Sequence, residues 1–432
     1  MNIAITKERQ LVWAIALFVF FLAVVQFHVD ALGFAINVNI ADFFVLLALS
    51  AILLTYISER RVIVWKIARF NRYILLTALA LLSSWLIAAL SGLSLTWGTS
   101  KLVGWMVILG YLYTSALLVN QLGFFSFFRF FNLLLVFFLC VLVVSVALFF
   151  LEIIKGAGTG TVYLSYLKGL SGNRNALAFQ ILSVLSLLLA FQPLYERKII
   201  FGRWFLLLAT TILTCTMFLT SSRSGIASML LLYFFALIMR ISHWRLLVSS
   251  LVLAGVINLF IIYWPEIHFW FFTVYSGQEQ IISQVKMAIS SDESDLLRGL
   301  LIKNTFLMWL EHPFFGAGLG AFYTSSEAVY GVPIVQHNSL LWVLSEMGLL
   351  GFILFAVFFV SLIWFVFFTG RRCMRKNAVF LLLLSLGAMA MFHEMLYQRL
   401  FWLFLGGMVA TGLPDSFTKN LGNEPRGVAE ET

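Results

Sequence analysis

Long apolar runs separated by short polar intervals recur along this chain, each about 17 to 25 residues, the length a helix needs to cross the hydrocarbon core of a bilayer. They fall near 11–28, 38–57, 73–91, 102–120, 129–151, 174–192, 203–221, 223–241, 245–264, 347–369, 377–394 and 399–413. The pattern predicts an all-α polytopic membrane protein with about twelve transmembrane helices. The seventh run gives way to the eighth at Ser222-Arg223, so that pair needs a tight turn.

One interval interrupts the rhythm. From Pro265 toward Gly351 runs a polar, charged stretch of roughly 70 residues that ends in Gln336-His337-Asn338 and a hydrophobic helix. The chain therefore divides into 1–264, carrying the first nine spans; 265–338, an outer loop with amphipathic helices; 339–413, the last three spans; and a tail at 414–432. Within the loop, the polar run Ser290 to Asp295 supplies helix-start chemistry, and apolar positions at helical spacing follow, predicting an amphipathic helix over Leu296 to Glu311. His312-Pro313 ends it, and the glycine-rich run GAGLGAF, Gly316 to Phe322, gives the backbone freedom to bend. A GxGxxG-like string with no preceding strand is weak as a nucleotide signature.

Composition agrees with membrane embedding: 62% of the 432 residues are hydrophobic and 11% charged, with a mean hydropathy of +1.00. The 45 phenylalanines and 13 tryptophans suit lipid-facing surfaces and interfacial belts, so their abundance does not argue for a ligand cage. Cys140, Cys215 and Cys373 have no ligand spacing and suggest neither a disulfide frame nor a zinc site. The first apolar run follows Lys7 and Arg9 without a small-residue cleavage site and reads as a retained helix rather than a signal peptide.

The net charge of +9 has to be sorted by side before it says anything about partners. Most Lys and Arg fall in the intervals that hold both termini, including Arg60, Arg61, Lys66, Arg69, Arg72, Arg371, Arg372, Arg375 and Lys376. By the positive-inside rule the termini are cytoplasmic and the long loop faces outward. Among the basic residues on the other side, Arg174, Arg223, Arg298 and Arg399 sit at span boundaries or in the outer loop, against the topology signal. A single arginine there is ordinarily an interfacial anchor or a helix-end contact. Four of them on one face, beside His337, point to a site. On the predicted loop helix Arg298 and Lys303 lie about 140° apart, so only one aims at a given point, and Arg298 is the site candidate.

Guanidinium groups are planar, permanently charged forks that match phosphate oxygens, and histidine is the side chain whose ordinary pKa lies near neutrality. Together at an outer boundary they suit a lipid-linked phosphate substrate and a proton abstraction. Arg223, Arg174 and Arg298 would clamp a diphosphate and offset charge on it as it leaves, while His337 takes a proton from an attacking hydroxyl. The plain alternative for His337 is a helix-capping or packing role. His28, His243, His268, His312 and His393 show no metal-ligand spacing, and Asp292, Glu293 and Asp295 read as a solvated helix start, so no metal or other cofactor is expected.

At this point the motifs resemble the O-antigen ligase and O-antigen polymerase superfamily of bacterial inner-membrane glycosyltransferases. The resemblance rests on SSRSG (Ser221 to Gly225), GAGLGAF, and HNSLLWVLSEMGLLG (His337 to Gly351), similar to the family's His-Asn followed by Glu-x-Gly-x-x-Gly. It extends to the architecture: about twelve spans with one long periplasmic loop late in the chain, a GT-C-like arrangement. The resemblance implies a metal-independent enzyme that transfers a glycan from undecaprenyl diphosphate to a sugar hydroxyl, with membrane lipids around it and no nucleic-acid partner. It implies Arg223, Arg174 and Arg298 on the diphosphate, His337 as the one base of an inverting displacement, and supporting places for Asn338, Arg399 and Glu346. Glu346, nine residues after His337, points about 180° away on a helix and takes a structural or orienting role.

Ligase and polymerase share these motifs. In the ligase the acceptor hydroxyl belongs to lipid A-core; in the polymerase, to another lipid-linked repeat unit. One dominant outer loop favours the ligase, since the other candidate loop, Glu152 to Asn173, is only about 22 residues long. A secondary transporter also commonly has a dozen spans. Such proteins carry polar residues near the midplane and related halves, whereas this chain keeps its ionisable residues at the edges and has no evident internal repeat.

Overall fold

The computed structural model describes residues 41–47, 49–50, 68–159, 167–196, 201–272, 292–330, 334–336, 338–369 and 372–410. Among them the regular structure is entirely helical. Beyond the helical residues at 41–47, the elements are α1 (Ala68–Leu90), α2 (Leu95–Leu122), α3 (Phe124–Thr159), α4 (Arg174–Ala190), the short α5 (Gln192–Glu196), α6 (Phe201–Leu219), α7 (Arg223–Ile238), α8 (Trp244–Phe272), α9 (Asp292–Glu311), α10 (Ala321–Tyr330), α11 (Ser339–Phe368), α12 (Met374–Ala390) and α13 (Arg399–Val409).

Of the twelve predicted runs, 11–28 lies outside the described residues and 38–57 is described only in part. Each of the other ten coincides with a helix. Six, within α1, α2, α3, α6, α8 and α11, are long and apolar enough to cross a membrane, and α4, α7 and α13 are shorter apolar helices. The turn demanded between the seventh and eighth runs is present: α6 ends at Leu219, α7 begins at Arg223, and Ser221 takes a left-handed φ of 51° between them.

Several boundaries move, two of them at the outer-loop interval of the sequence. Helix α8 continues through Pro265 to Phe272, past the point where the hydropathy pattern ends the span. The residues after Pro265 are still mostly aromatic and apolar, and a proline interrupts a membrane helix less than an aqueous one because neighbouring groups satisfy the freed backbone. Helix α9 starts at Asp292 instead of Leu296, which puts the acidic run in its first turn, at the positive end of the helix dipole.

Helices α4 and α13 form the centre. Every residue of α13 and all of α4 after Asn175 are buried, as expected of helices apolar on all sides. Around them α13 packs on α2, α12 on α4, α6 on α8, and α1 on α11. The outer surfaces of α1, α3, α8 and α11 expose rows of large apolar side chains such as Leu86, Leu148, Val252 and Trp364, consistent with contact to lipid. Helices α4 and α7, with 17 and 16 residues, are about 25 Å long, shorter than a bilayer core of about 30 Å. Their first residues are polar, and those starts build the site.

Candidate active site

The GAGLGAF run and the Glu-x-Gly-x-x-Gly run form one unit. Helix α11 breaks at Gly348, whose φ of 66° and ψ of −173° lie in a region essentially restricted to glycine. The break frees carbonyls before it and N–H groups after it, and two of each find partners in other segments. The Ser345 carbonyl accepts from Ala317 N–H at 2.9 Å, and the Glu346 carbonyl accepts from Gly318 N–H at 3.1 Å and from the Ser84 hydroxyl at 2.7 Å. In return Leu349 and Leu350 N–H donate to the carbonyls of Pro313 and Phe314 at 2.9 and 3.1 Å. A methyl group on Gly316 would strike the Glu346 backbone, and one on Gly348 would strike Gly316 and Phe314, so the two backbones meet with no space for a Cβ.

Glu346 is the second half of that joint. It is buried, and its carboxylate accepts from Gly320 N–H at 2.9 Å, from Phe322 N–H at 3.3 Å and from the Trp342 indole at 2.7 Å. Gly320 and Phe322 flank the first residue of α10, so the carboxylate caps the positive end of that helix. This fastens the outer segment before α10 to the first half of α11.

In sequence, that first half follows shortly after the motif histidine. His337 lies outside the described residues, but both neighbours are placed. Gln336 is buried and donates through its amide to the Ser345 hydroxyl at 3.1 Å. Asn338 is the N-cap of α11, accepting from Leu340 and Leu341 N–H at 3.0 and 2.9 Å while its amide donates to the Met391 carbonyl at 2.9 Å. The start of α11 is thus tied to the segment between α12 and α13.

The starts of α4 and α7 meet the same segment, and they are built alike. Each has a polar N-cap, then an arginine, then a second polar residue. Asn173 caps α4 by accepting from Asn175 N–H at 2.8 Å, and Ser222 caps α7 by accepting from Gly225 N–H at 3.2 Å. Arg174, half-buried, and Arg223, exposed, are therefore the first helical residues of their helices. The Ser222 hydroxyl donates to the Asn175 amide oxygen at 2.8 Å and joins the two starts. A cation at a helix N-terminus opposes the helix dipole, so two arginines and three helix starts together make a region of positive potential. Exposed backbone N–H groups and guanidinium forks with this arrangement are suited to anionic oxygens.

Between them stands His393, a residue that metal-ligand spacing gave no reason to select. Its ring is buried, with Nε2 2.8 Å from the Ser224 hydroxyl and Nδ1 3.4 Å from the Asn175 amide nitrogen. Its carbonyl accepts from the Ser339 hydroxyl at 2.9 Å, which brings in the start of α11. The next residue, Glu394, forms a buried ion pair with Lys101 of α2, whose ammonium lies 4.7, 5.3 and 4.8 Å from the ring centres of Trp97, Trp342 and Tyr397. Trp97 itself stacks on Tyr323 of α10 at 4.3 Å. Trp97, Tyr323, Gln336, Trp342, Glu346 and Glu394 line a small cavity beside the start of α11.

The fold therefore brings Arg174, Arg223, Asn338 and the flanks of His337 to one place. Arg298 lies in the second turn of α9, a helix that packs on α11. Arg399 opens α13, where it makes a two-point ion pair with Asp42, Nε to Oδ1 at 2.6 Å and the terminal nitrogen to Oδ2 at 2.7 Å. Tyr111 donates to the same Asp42 oxygen at 2.8 Å. The main engagement of Arg399 is thus a brace between the helical residues around Asp42, α2 and α13. The signal that would have revealed His393 and Glu394 in the sequence is their place in a polar interruption, HEMLYQR, between two apolar runs.

Residues 205–356 match the family model described as O-antigen ligase. A comparison with curated proteins gives no match. The matched region runs from α6 to beyond the break in α11 and includes Arg223, the GAGLGAF run and Glu346, whereas Arg174 and His393 lie outside it. Residues 205–356 are thus similar to the O-antigen ligase family, and they sit within a helical, multi-pass membrane architecture.

Proposed function

We propose that this protein is an O-antigen ligase, transferring a polysaccharide from undecaprenyl diphosphate to a sugar hydroxyl of lipid A-core at the periplasmic face of the bacterial inner membrane, its termini in the cytoplasm. The observation that carries the reading is the convergence of two arginine-bearing helix starts, α4 and α7, with the start of α11 that His337 precedes. Arg174 and Arg223, with Arg298 from α9, bind the diphosphate and offset the charge that gathers on it. His337 accepts the proton of the acceptor hydroxyl as its oxygen attacks the anomeric carbon. The bond from that carbon to the diphosphate oxygen breaks in the same step, its electron pair leaving with undecaprenyl diphosphate. One displacement inverts the anomeric centre and needs a single base, with the guanidiniums doing the work that a metal ion does in other phosphate chemistry.

The experiment is reconstitution of the purified protein with undecaprenyl-diphosphate glycan and either lipid A-core or a second lipid-linked glycan, in the presence of EDTA. Glycan joined to lipid A-core is the expected product. Extension of the lipid-linked glycan alone would make the protein a polymerase, and loss of transfer in EDTA would remove the metal-independent mechanism.

A further inference from the structure

Asn175 and Ser224 hold equivalent places in α4 and α7: each directly follows the arginine that opens its helix. His393 contacts both, Asn175 through Nδ1 and Ser224 through Nε2. The direction of these bonds follows from their neighbours. The Asn175 amide oxygen is occupied by the Ser222 hydroxyl, so the amide nitrogen faces the ring and donates to Nδ1. That leaves Nε2 as the protonated nitrogen, donating to the Ser224 hydroxyl. The ring is a flat spacer with one bond at each nitrogen.

The spacer is itself fixed. His393 N–H donates to the Met389 carbonyl at 2.9 Å, its carbonyl is held by Ser339, and the adjoining Glu394 is anchored to Lys101. Beyond their starts the buried residues of α4 and α7 are mostly apolar, and apolar attraction is not directional and resists sliding or rotation poorly. Hydrogen bonds are directional, and a rigid imidazole bonded to both helix starts, beside the direct Ser222–Asn175 bond, sets their mutual distance. A two-arginine grip on a diphosphate is sensitive to that distance, because the spacing of the phosphates is set by covalent geometry and an error of about 1 Å in positioning is felt strongly.

We propose that His393 is a positioning residue that sets the separation of Arg174 and Arg223 for the diphosphate of the donor. This rests on the reading of those arginines given above. The test measures donor KM and kcat in reconstituted full-length protein for His393→Ala, His393→Gln and Ser224→Ala, with Arg223→Ala alongside. Loss of the bridge raises donor KM about tenfold in His393→Ala, with a smaller change in kcat. His393→Gln, which keeps a donor near the place of Nε2, recovers part of that loss. Ser224→Ala removes one arm without a sizeable cavity and raises KM several-fold. A merely structural role would lower kcat and the yield of folded protein together and would leave KM unmoved.

An unchanged donor KM in Ser224→Ala overturns the proposal, whether or not His393→Ala can be purified. If Arg223→Ala raises KM while the His393 and Ser224 variants do not, only the positioning role has failed. If Arg223→Ala also leaves KM unchanged, the diphosphate reading has failed and takes this inference with it.

Discussion

Among individual residues, the chemistry divides between groups that can touch substrate and groups that hold them. Arg223 is exposed at the first position of α7, with its neighbours Ser222 and Ser224 bonded into the site. If it grips the diphosphate as proposed, replacing it by alanine should raise donor KM about ten- to hundredfold. His337→Ala should instead leave donor binding in place and lower kcat by about a hundred- to ten-thousandfold, the range for a lost general base. Steady-state kinetics together with donor binding on each purified variant separates the two, and full transfer by His337→Ala would remove the general-base role. Both candidates were selected from the sequence because each is an ionisable side chain near the edge of an apolar run. His393 and Lys101 were not singled out, although they too lie at such edges. Their importance comes from partners far off in the sequence, Ser224 and Glu394, at separations of 169 and 293.

At the level of elements, the central device is the broken helix α11. A glycine in the middle of an apolar helix ordinarily weakens it, yet Gly348 sits where the chain has to turn and where the backbone of Gly316 lies against it. Gly348→Ala should therefore cost at least about 3 kcal/mol, combining a glycine-only conformation with a Cβ that has no room. The expected result is a lowered thermal midpoint of the detergent-solubilised protein; an unchanged midpoint would mean that the break is not required. Periodicity places the spans well because bilayer thickness fixes the length of an apolar run. It does not reveal that α11 breaks at Gly348, since a break of this kind leaves the hydropathy of the run almost unaltered. The glycines did announce a bend, but not that its partner is a second glycine 32 residues away.

Across the whole molecule, contacts between distant parts of the sequence hold the helix starts in register. Asp42 pairs with Arg399, Ser84 bonds the Glu346 carbonyl, and Lys101 pairs with Glu394. Arg399→Lys should lower stability by about 2 kcal/mol, because an ammonium cannot reproduce the two parallel bonds to Asp42. The double change Asp42→Leu with Arg399→Leu should be better tolerated than Arg399→Leu alone, which strands a mostly buried carboxylate. Thermal unfolding of the three variants checks the order, and equal losses would contradict it.

By itself the sequence determined that this is a many-helix membrane protein and where most of its described helices lie, and it raised the expectation that arginines and a histidine collect on one side of it. Those properties follow from local hydropathy and from the cost of placing charge away from water. Tertiary structure alone decided which arginines share a site, that Arg399 braces α13 against Asp42, and that His393 joins α4 to α7. Each of those depends on how helices pack and rotate against one another, and near-uniform apolar surfaces encode that only through a few polar contacts between residues far apart in the chain.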